Sequence, residues 1–147
     1  VETLHKVGAG PEDEIDFKNV LKTINRYPAH LLPINRSMLR TFQEKGMVYW
    51  DDGVAIIAKR LTTKSYLKHP VPPGTTHLAM IASSRQRRGA ADEVMKRLLH
   101  QAGNKIVLSV YAYNVRAVRF YKRHGLTKLG EYKFPNFSVD IYGRFQA

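Results

Sequence analysis

His77-Leu78-Ala79-Met80-Ile81-Ala82, followed by Ser84-Arg85-Gln86-Arg87-Arg88-Gly89-Ala90-Ala91 and then by Ile106-Val107-Leu108-Ser109-Val110, decides the fold of this chain. The first segment reads as a strand. The last is a continuous apolar strand of the kind buried on both faces. Between them a helix is expected from about Ala90 to Ala102, where Ala91, Val94, Met95, Leu98, Leu99 and Ala102 form a broad apolar stripe and Gly103 stops the helix. Strand, helix and strand in this order make a βαβ unit, so the two strands should run parallel with a right-handed crossover.

The same reading extends both ways. Downstream, Asn114 can cap a further helix ending near His124, with Gly125 as its left-handed terminator. Strands around Lys128–Phe134 and Ser138–Phe145 then meet at a Pro135-Asn136 turn. Upstream, Leu4 to Gly8 reads as a short first strand. Asp13 and Glu14 open a helix carrying Phe17, Val20, Leu21 and Ile24 at i, i+3, i+4, i+7 spacing. A second helix is expected from about Ile34 to Lys45. Met47–Trp50, an Asp51-Asp52-Gly53 turn and Val54–Ala58 read as a β-hairpin, and the proline-bearing stretch Thr62–Thr76 as a surface loop. The order β-α-α-β-β-β-α-β-α-β-β is that of an α/β protein with a central mixed, twisted sheet flanked by helices, expected to be one domain over residues 1–147.

With 147 residues, 44% hydrophobic and 24% charged, the chain has a globular composition and can bury one sizeable core. No apolar run approaches the roughly 18 residues that span a bilayer, and Val1–Lys6 carries no leader pattern, so a cytoplasmic protein without a membrane partner is expected. The absence of cysteine excludes disulfides and thiolate chemistry. The histidines are scattered without metal-ligand spacing, and no serine-nucleophile elbow, Walker loop or dinucleotide fingerprint occurs. The formal net charge is +12, and no acidic residue lies between Asp52 and Asp92, where Lys59, Arg60, Lys64, Lys68, Arg85, Arg87 and Arg88 fall. Such a field attracts phosphate-rich ligands.

The loop before the first crossover helix has its own physics. A helix N-terminus offers unpaired backbone N–H groups and the positive end of the dipole. Gly89 with Ala90 and Ala91 lets a large anion approach the backbone, and the arginines add charge. This suits a pyrophosphate.

Gln86-x-x-Gly89-x-Ala91 resembles the Q/R-x-x-G-x-G/A loop that binds the CoA pyrophosphate in the GNAT N-acetyltransferase superfamily, with alanine at the last small position. Asn114-x-x-Ala117-x-x-Phe120-Tyr121-x-x-x-Gly125-Leu126 is similar to that family's N-x-x-A-x-x-F-Y-x-x-x-G-F segment, with leucine for the final phenylalanine. Residues 1–70 carry no signature. The resemblance implies the GNAT acyl-CoA N-acyltransferase fold and an acetyl-CoA-dependent enzyme that transfers its acyl group directly to an amine. It implies that Gln86, Arg87, Arg88, Gly89, Ala90 and Ala91 hold the pyrophosphate. Backbone groups around Ile81 to Ser83 would orient the thioester, and Asn114, Ala117 and Phe120 would lie along the cofactor. Tyr121 would protonate the departing thiolate. His77 is the candidate base, with Thr75, Glu131 and Tyr111 as weaker options, and no base is needed for an acceptor of low pKa.

The acceptor stays open. CoA accounts for the arginines at 85–88 but not for the remaining positive charge, so an amine carried on a nucleic acid or other polyanion is one expectation. Tyr49, Trp50, Tyr66, Tyr111 and Tyr113 could stack on bases. A small-molecule amine and a protein amine are alternatives, as is a non-catalytic basic module that binds nucleic acid or a partner on the same scaffold. A homodimer would fit the family.

Overall fold

The computed structural model describes residues 3–26, 34–84 and 89–145. The chain divides into two compact units, one comprising Val1–Lys59 with Leu78–Leu98 and the other Arg60–His77 with Leu99–Ala147.

In the first unit a 3-10 turn at Pro11–Asp13 leads into α1 (Glu14–Ile24), whose Phe17, Val20 and Ile24 are buried along one face. Helix α2 (Arg36–Glu44) starts later than its apolar spacing suggested. The Asn35 side chain accepts from the Met38 amide at 2.8 Å, so this residue is the cap and Ile34 packs outside the helix. Strands β1 (Val48–Asp51) and β2 (Val54–Arg60) pair antiparallel across a two-residue turn, with φ of 50° at Asp52 and 75° at Gly53. Positive φ at both positions is the type I′ geometry that matches strand twist. The expected first strand shrinks to a bridge between Lys6 and Tyr49, because Gly8, Gly10 and Pro11 turn the chain into the 3-10 segment.

The core of this unit joins Phe17, Val20 and Ile24 to Leu39, Val48, Ala55, Ile57 and Ala82. Phe17 is fully buried, and the guanidinium groups of Arg36 and Arg40 lie 5.1 and 3.7 Å from its ring centroid. Glu14 accepts from both arginines, at 2.5 and 2.6 Å, and those bonds, Arg40's first, hold its carboxyl below the usual carboxylate range. One aromatic ring thus fastens α1 to α2.

In the second unit, β3 (Ser65–Tyr66) and β4 (His69–Pro70) form a small hairpin where an irregular loop was expected. Its turn residues, Leu67 and Lys68, have φ of 46° and 65°; with no glycine or asparagine there, the local sequence carries no turn signal. Strand β5 (Thr76–Ser83) pairs in parallel with β6 (Lys105–Val110), in the register Thr76↔Ile106 and His77↔Val107, as the βαβ reading required. Helix α3 (Ala90–Gln101) connects them. After α4 (Val115–Arg123), strands β7 (Thr127–Lys133) and β8 (Ser138–Phe145) form the last hairpin, and β8 runs antiparallel to β6. Val107, Ile141 and Val71 centre the core of this unit. Strand β5 is common to both units, and the strand order is β1-β2-β5-β6-β8-β7, a mixed sheet. Among the described residues, no helix is long and apolar enough to cross a membrane.

Candidate active site

In the first unit the site begins where β5 ends. Ser84 donates both its amide and its hydroxyl to the Gly53 carbonyl, each at 2.8 Å, which ties the strand end to the β1–β2 turn. Arg26 Nη1 donates to the Ser84 carbonyl at 2.5 Å. The residues leading into the basic loop are therefore held from α1 and from the hairpin. Gln86, Arg87 and Arg88, expected to face the pyrophosphate, lie outside the described residues. Gly89 is described: its φ is +88°, and a Cβ placed there would meet nothing within 4 Å. Glycine is thus required by the backbone and not by crowding in the protein, and the space beside it is open. The first helical bond runs from the Glu93 amide to the Gly89 carbonyl at 3.0 Å. Ala91 is half-buried, whereas the side chain of Ala90 is packed into the interior. Ala82 is buried, and Ile81 and Ser83 beside it are half-buried.

In the second unit both ends of α4 are closed by the chain itself. The Asn114 side chain accepts from the Ala117 amide at 3.3 Å, which is the N-cap the sequence implied. At the other end the Leu126 amide bonds the Tyr121 carbonyl at 3.1 Å, the Gly125 amide bonds the Lys122 carbonyl at 3.0 Å, and Gly125 has a φ of +82°. That pair of bonds is a Schellman motif. Arg144 Nη1 adds a bond to the His124 carbonyl at 3.0 Å. Tyr121 sits in this fastened last turn, buried, with the Phe120 ring edge-on at 5.6 Å. Burial pushes its hydroxyl up to about 12, so it stays protonated throughout the neutral range. Ala117 and Phe120 are half-buried on the same helix.

His77 lies at the start of β5, its ring 4.5 Å from that of Tyr66. Burial pushes the imidazole down to about 4, so it is neutral at pH 7. Tyr66, its own hydroxyl raised by burial, donates to Ser109 Oγ at 3.0 Å. The weaker base candidates are occupied differently. Thr75 is buried and donates to the Pro72 carbonyl at 2.7 Å, Glu131 pairs with Lys128 at 2.8 Å, and the Tyr111 ring stacks on Tyr113 at 5.1 Å.

Two groupings went unseen in the sequence. His5 Nε2 lies 3.5 Å from Asp13 and 3.3 Å from Asp16, a histidine–carboxylate cluster assembled by the turn at Gly8–Pro11. A cavity of about 630 Å³ opens beside the end of α1, among Asn19, Lys22, Arg26, Trp50, Asp52 and Ser84. Its local signal was a basic pair, Lys22 in the last turn of α1 and Arg26 just past its end.

Together these elements define an acyl-transferring α/β enzyme. The chain belongs to the acetyltransferase (GNAT) family, whose model matches residues 21–126. No curated protein matches it in sequence. Among similar solved structures is a chain of the NatC complex bound to Gag peptide and CoA, 13% identical, with 99% of each chain covered and a TM-score of 0.70. Another is the ribosomal-protein-S18-alanine N-acetyltransferase from Escherichia coli, 15% identical, covering 99% of this chain and 95% of that one, at 0.65. A third is Arabidopsis thaliana NAA60 in complex with acetyl-CoA, 12% identical over 98% of each chain, at 0.64. At these identities the likeness is one of fold.

Proposed function

We propose that this acetyltransferase uses acetyl-CoA and passes the acetyl group directly to a primary amine borne by a polyanionic acceptor. The observation that carries the chemistry is Tyr121: a buried hydroxyl, fixed by the helix cap and kept neutral, at the position where the family segment places its tyrosine.

The neutral amine attacks the thioester carbonyl, and backbone N–H groups around Ile81 to Ser83 stabilise the oxyanion. As the C–S bond breaks, Tyr121 donates a hydrogen bond to the leaving sulfur. With its hydroxyl at about 12 against roughly 8.5 for a thiol, complete proton transfer is uphill, so its contribution is stabilisation of developing thiolate charge. An alkylamine near 10.4 could lose its proton to His77, at about 4, only against a gap of roughly 6 units. The amine must therefore enter already neutral; once it has attacked, its nitrogen is far more acidic, and His77, neutral and more basic than water, would take that proton and release it to the solvent.

The polyanionic acceptor is supported by the net charge of +12 and by the run from Asp52 to Asp92 that lacks acidic residues. A protein amine is the second reading, favoured by the peptide bound in the NatC structure and by the alanine acetylated by the Escherichia coli enzyme. Thermal-shift binding of CoA, followed by thiol release from acetyl-CoA with aminoacylated RNA, peptides or small amines, tests both. Turnover fastest on the RNA-borne amine, with KM rising steeply with salt, is expected. Fastest turnover on peptides moves the acceptor to protein. Binding of CoA without turnover on any amine leaves a non-catalytic basic module.

A further inference from the structure

We infer that the cavity beside α1 is a binding site for a nucleoside phosphate of the acceptor, with the phosphate on Lys22 and Arg26 and the base on Trp50. This rests on the polyanionic reading above and gives it a location.

The cavity lies wholly within the first unit, and its lining also includes the carboxylate of Asp52, so the two cations exceed the acidic groups by one. Its volume, about 630 Å³, falls within the roughly 300–1,000 Å³ typical of small-ligand sites. Lys22 lies in the last turn of α1 and Arg26 in the turn just past its end, where the Arg26 amide bonds the Thr23 carbonyl at 3.3 Å, and both side chains line the cavity. The Arg26 guanidinium is already aimed by its bond to the Ser84 carbonyl, which takes one of its five donors. A planar fork held in place suits the oxygens of a phosphate. Trp50 is half-buried: it packs on the core of this unit and also lines the cavity. An indole beside two cations is the pairing that a nucleotide uses in full, base on ring and phosphate on charge. An acidic peptide would use the cations and leave the ring face idle. Asn19 adds an amide able both to donate to and to accept from a base edge. A bland alternative exists for Lys22 alone, since cations near a helix C-terminus are favoured by the dipole. It does not explain the anchored arginine, the tryptophan and the cavity between them.

Trp50 is the chain's one tryptophan, so its fluorescence reads this cavity directly. The protein would first be saturated with CoA, to fill the cofactor's own nucleotide site, and then titrated with adenosine 5′-monophosphate. Saturable quenching is expected, with affinity about 10-fold weaker in Lys22→Gln and in Arg26→Gln, in line with loss of one charged phosphate contact. Lys22 is exposed, so its variant keeps the fold, and Arg26→Lys should restore part of the loss. Quenching abolished by CoA would make the cavity part of the cofactor site and overturn the proposal. So would unchanged affinity in Lys22→Gln, or tighter binding of an acidic peptide than of the nucleotide. The same titration without CoA separates the two claims. Lys22-dependent quenching there supports the cavity even if acetyl transfer fails, and its absence sinks the cavity whatever the transferase assay shows.

Discussion

The two units are held together by different forces. The first is fastened by ion pairs at its edges: Glu14 with Arg36 and Arg40 over Phe17, and Arg97 with Asp51 at 2.9 Å. The second has one such edge, Lys128 with Glu131 and Asp140, and is otherwise rich in ring contacts: Tyr66 on His77, Tyr111 on Tyr113, Phe120 on Tyr121 and Phe134 on Phe137. Charge is kept paired at the edge of the first unit, in Glu14 with its two arginines and Asp51 with Arg97. In the second, desolvation acts on the titratable groups and leaves both the tyrosine and the histidine neutral, shifting one up and the other down.

Breaking the first unit at its ring should have the largest effect. Phe17→Ala removes a fully buried aromatic under two cations and should lower the unfolding free energy by about 3–5 kcal/mol, measured by denaturant melts. A loss under about 1 kcal/mol would mean that Phe17 is not the fastening between the helices.

Tyr121→Phe attacks the second unit's chemistry without disturbing its packing. We expect kcat to fall about 100-fold with little change in KM for acetyl-CoA, read by thiol release. Unchanged kcat would remove the stabilisation of the leaving sulfur from Tyr121.

The desolvated histidine predicts a pH signature. In the folded state its pKa is lowered from 6.5 to about 4, so the unfolded chain binds more protons between those values. Stability should therefore be complete above pH 6.5 and decline as pH falls toward 4. His77→Gln should flatten that part of the melting-temperature profile. An identical slope in the variant would place the effect in other groups.

The smallest effect is the sharpest discriminator. Gly89→Ala and Gly103→Ala both put an L-residue at positive φ, 88° and 62°, with open space for the methyl, and each should cost about 1–2 kcal/mol of stability. Only Gly89→Ala should also weaken CoA binding, because only there is a ligand expected to meet the backbone. Equal CoA affinity in the two variants would dissociate Gly89 from the cofactor.

Much of this was legible in the chain because it is encoded locally. The stripe of Val94, Met95, Leu98 and Leu99 announces α3, the run Ile106–Val110 announces a buried strand, and Asn114 with Gly125 brackets α4. Each depends on residues a few positions apart, and so on periodicity and caps. What was missed lacks such signals. The Leu67-Lys68 turn uses positive φ without the residues that favour it, and the Asn35 cap was hidden by an apolar residue in phase just before it.

The sequence by itself therefore determined the βαβ unit, the glycine-led helix start, the capped tyrosine helix and, through them, the family. Only the tertiary structure decided what those groups can do. Burial is a property of the packed chain, and it alone holds Tyr121 near 12, lowers His77 to about 4 and so weakens the base that residue type had suggested. The cavity likewise exists only once α1, the β1–β2 turn and the end of β5 are brought side by side, which no spacing along the chain records.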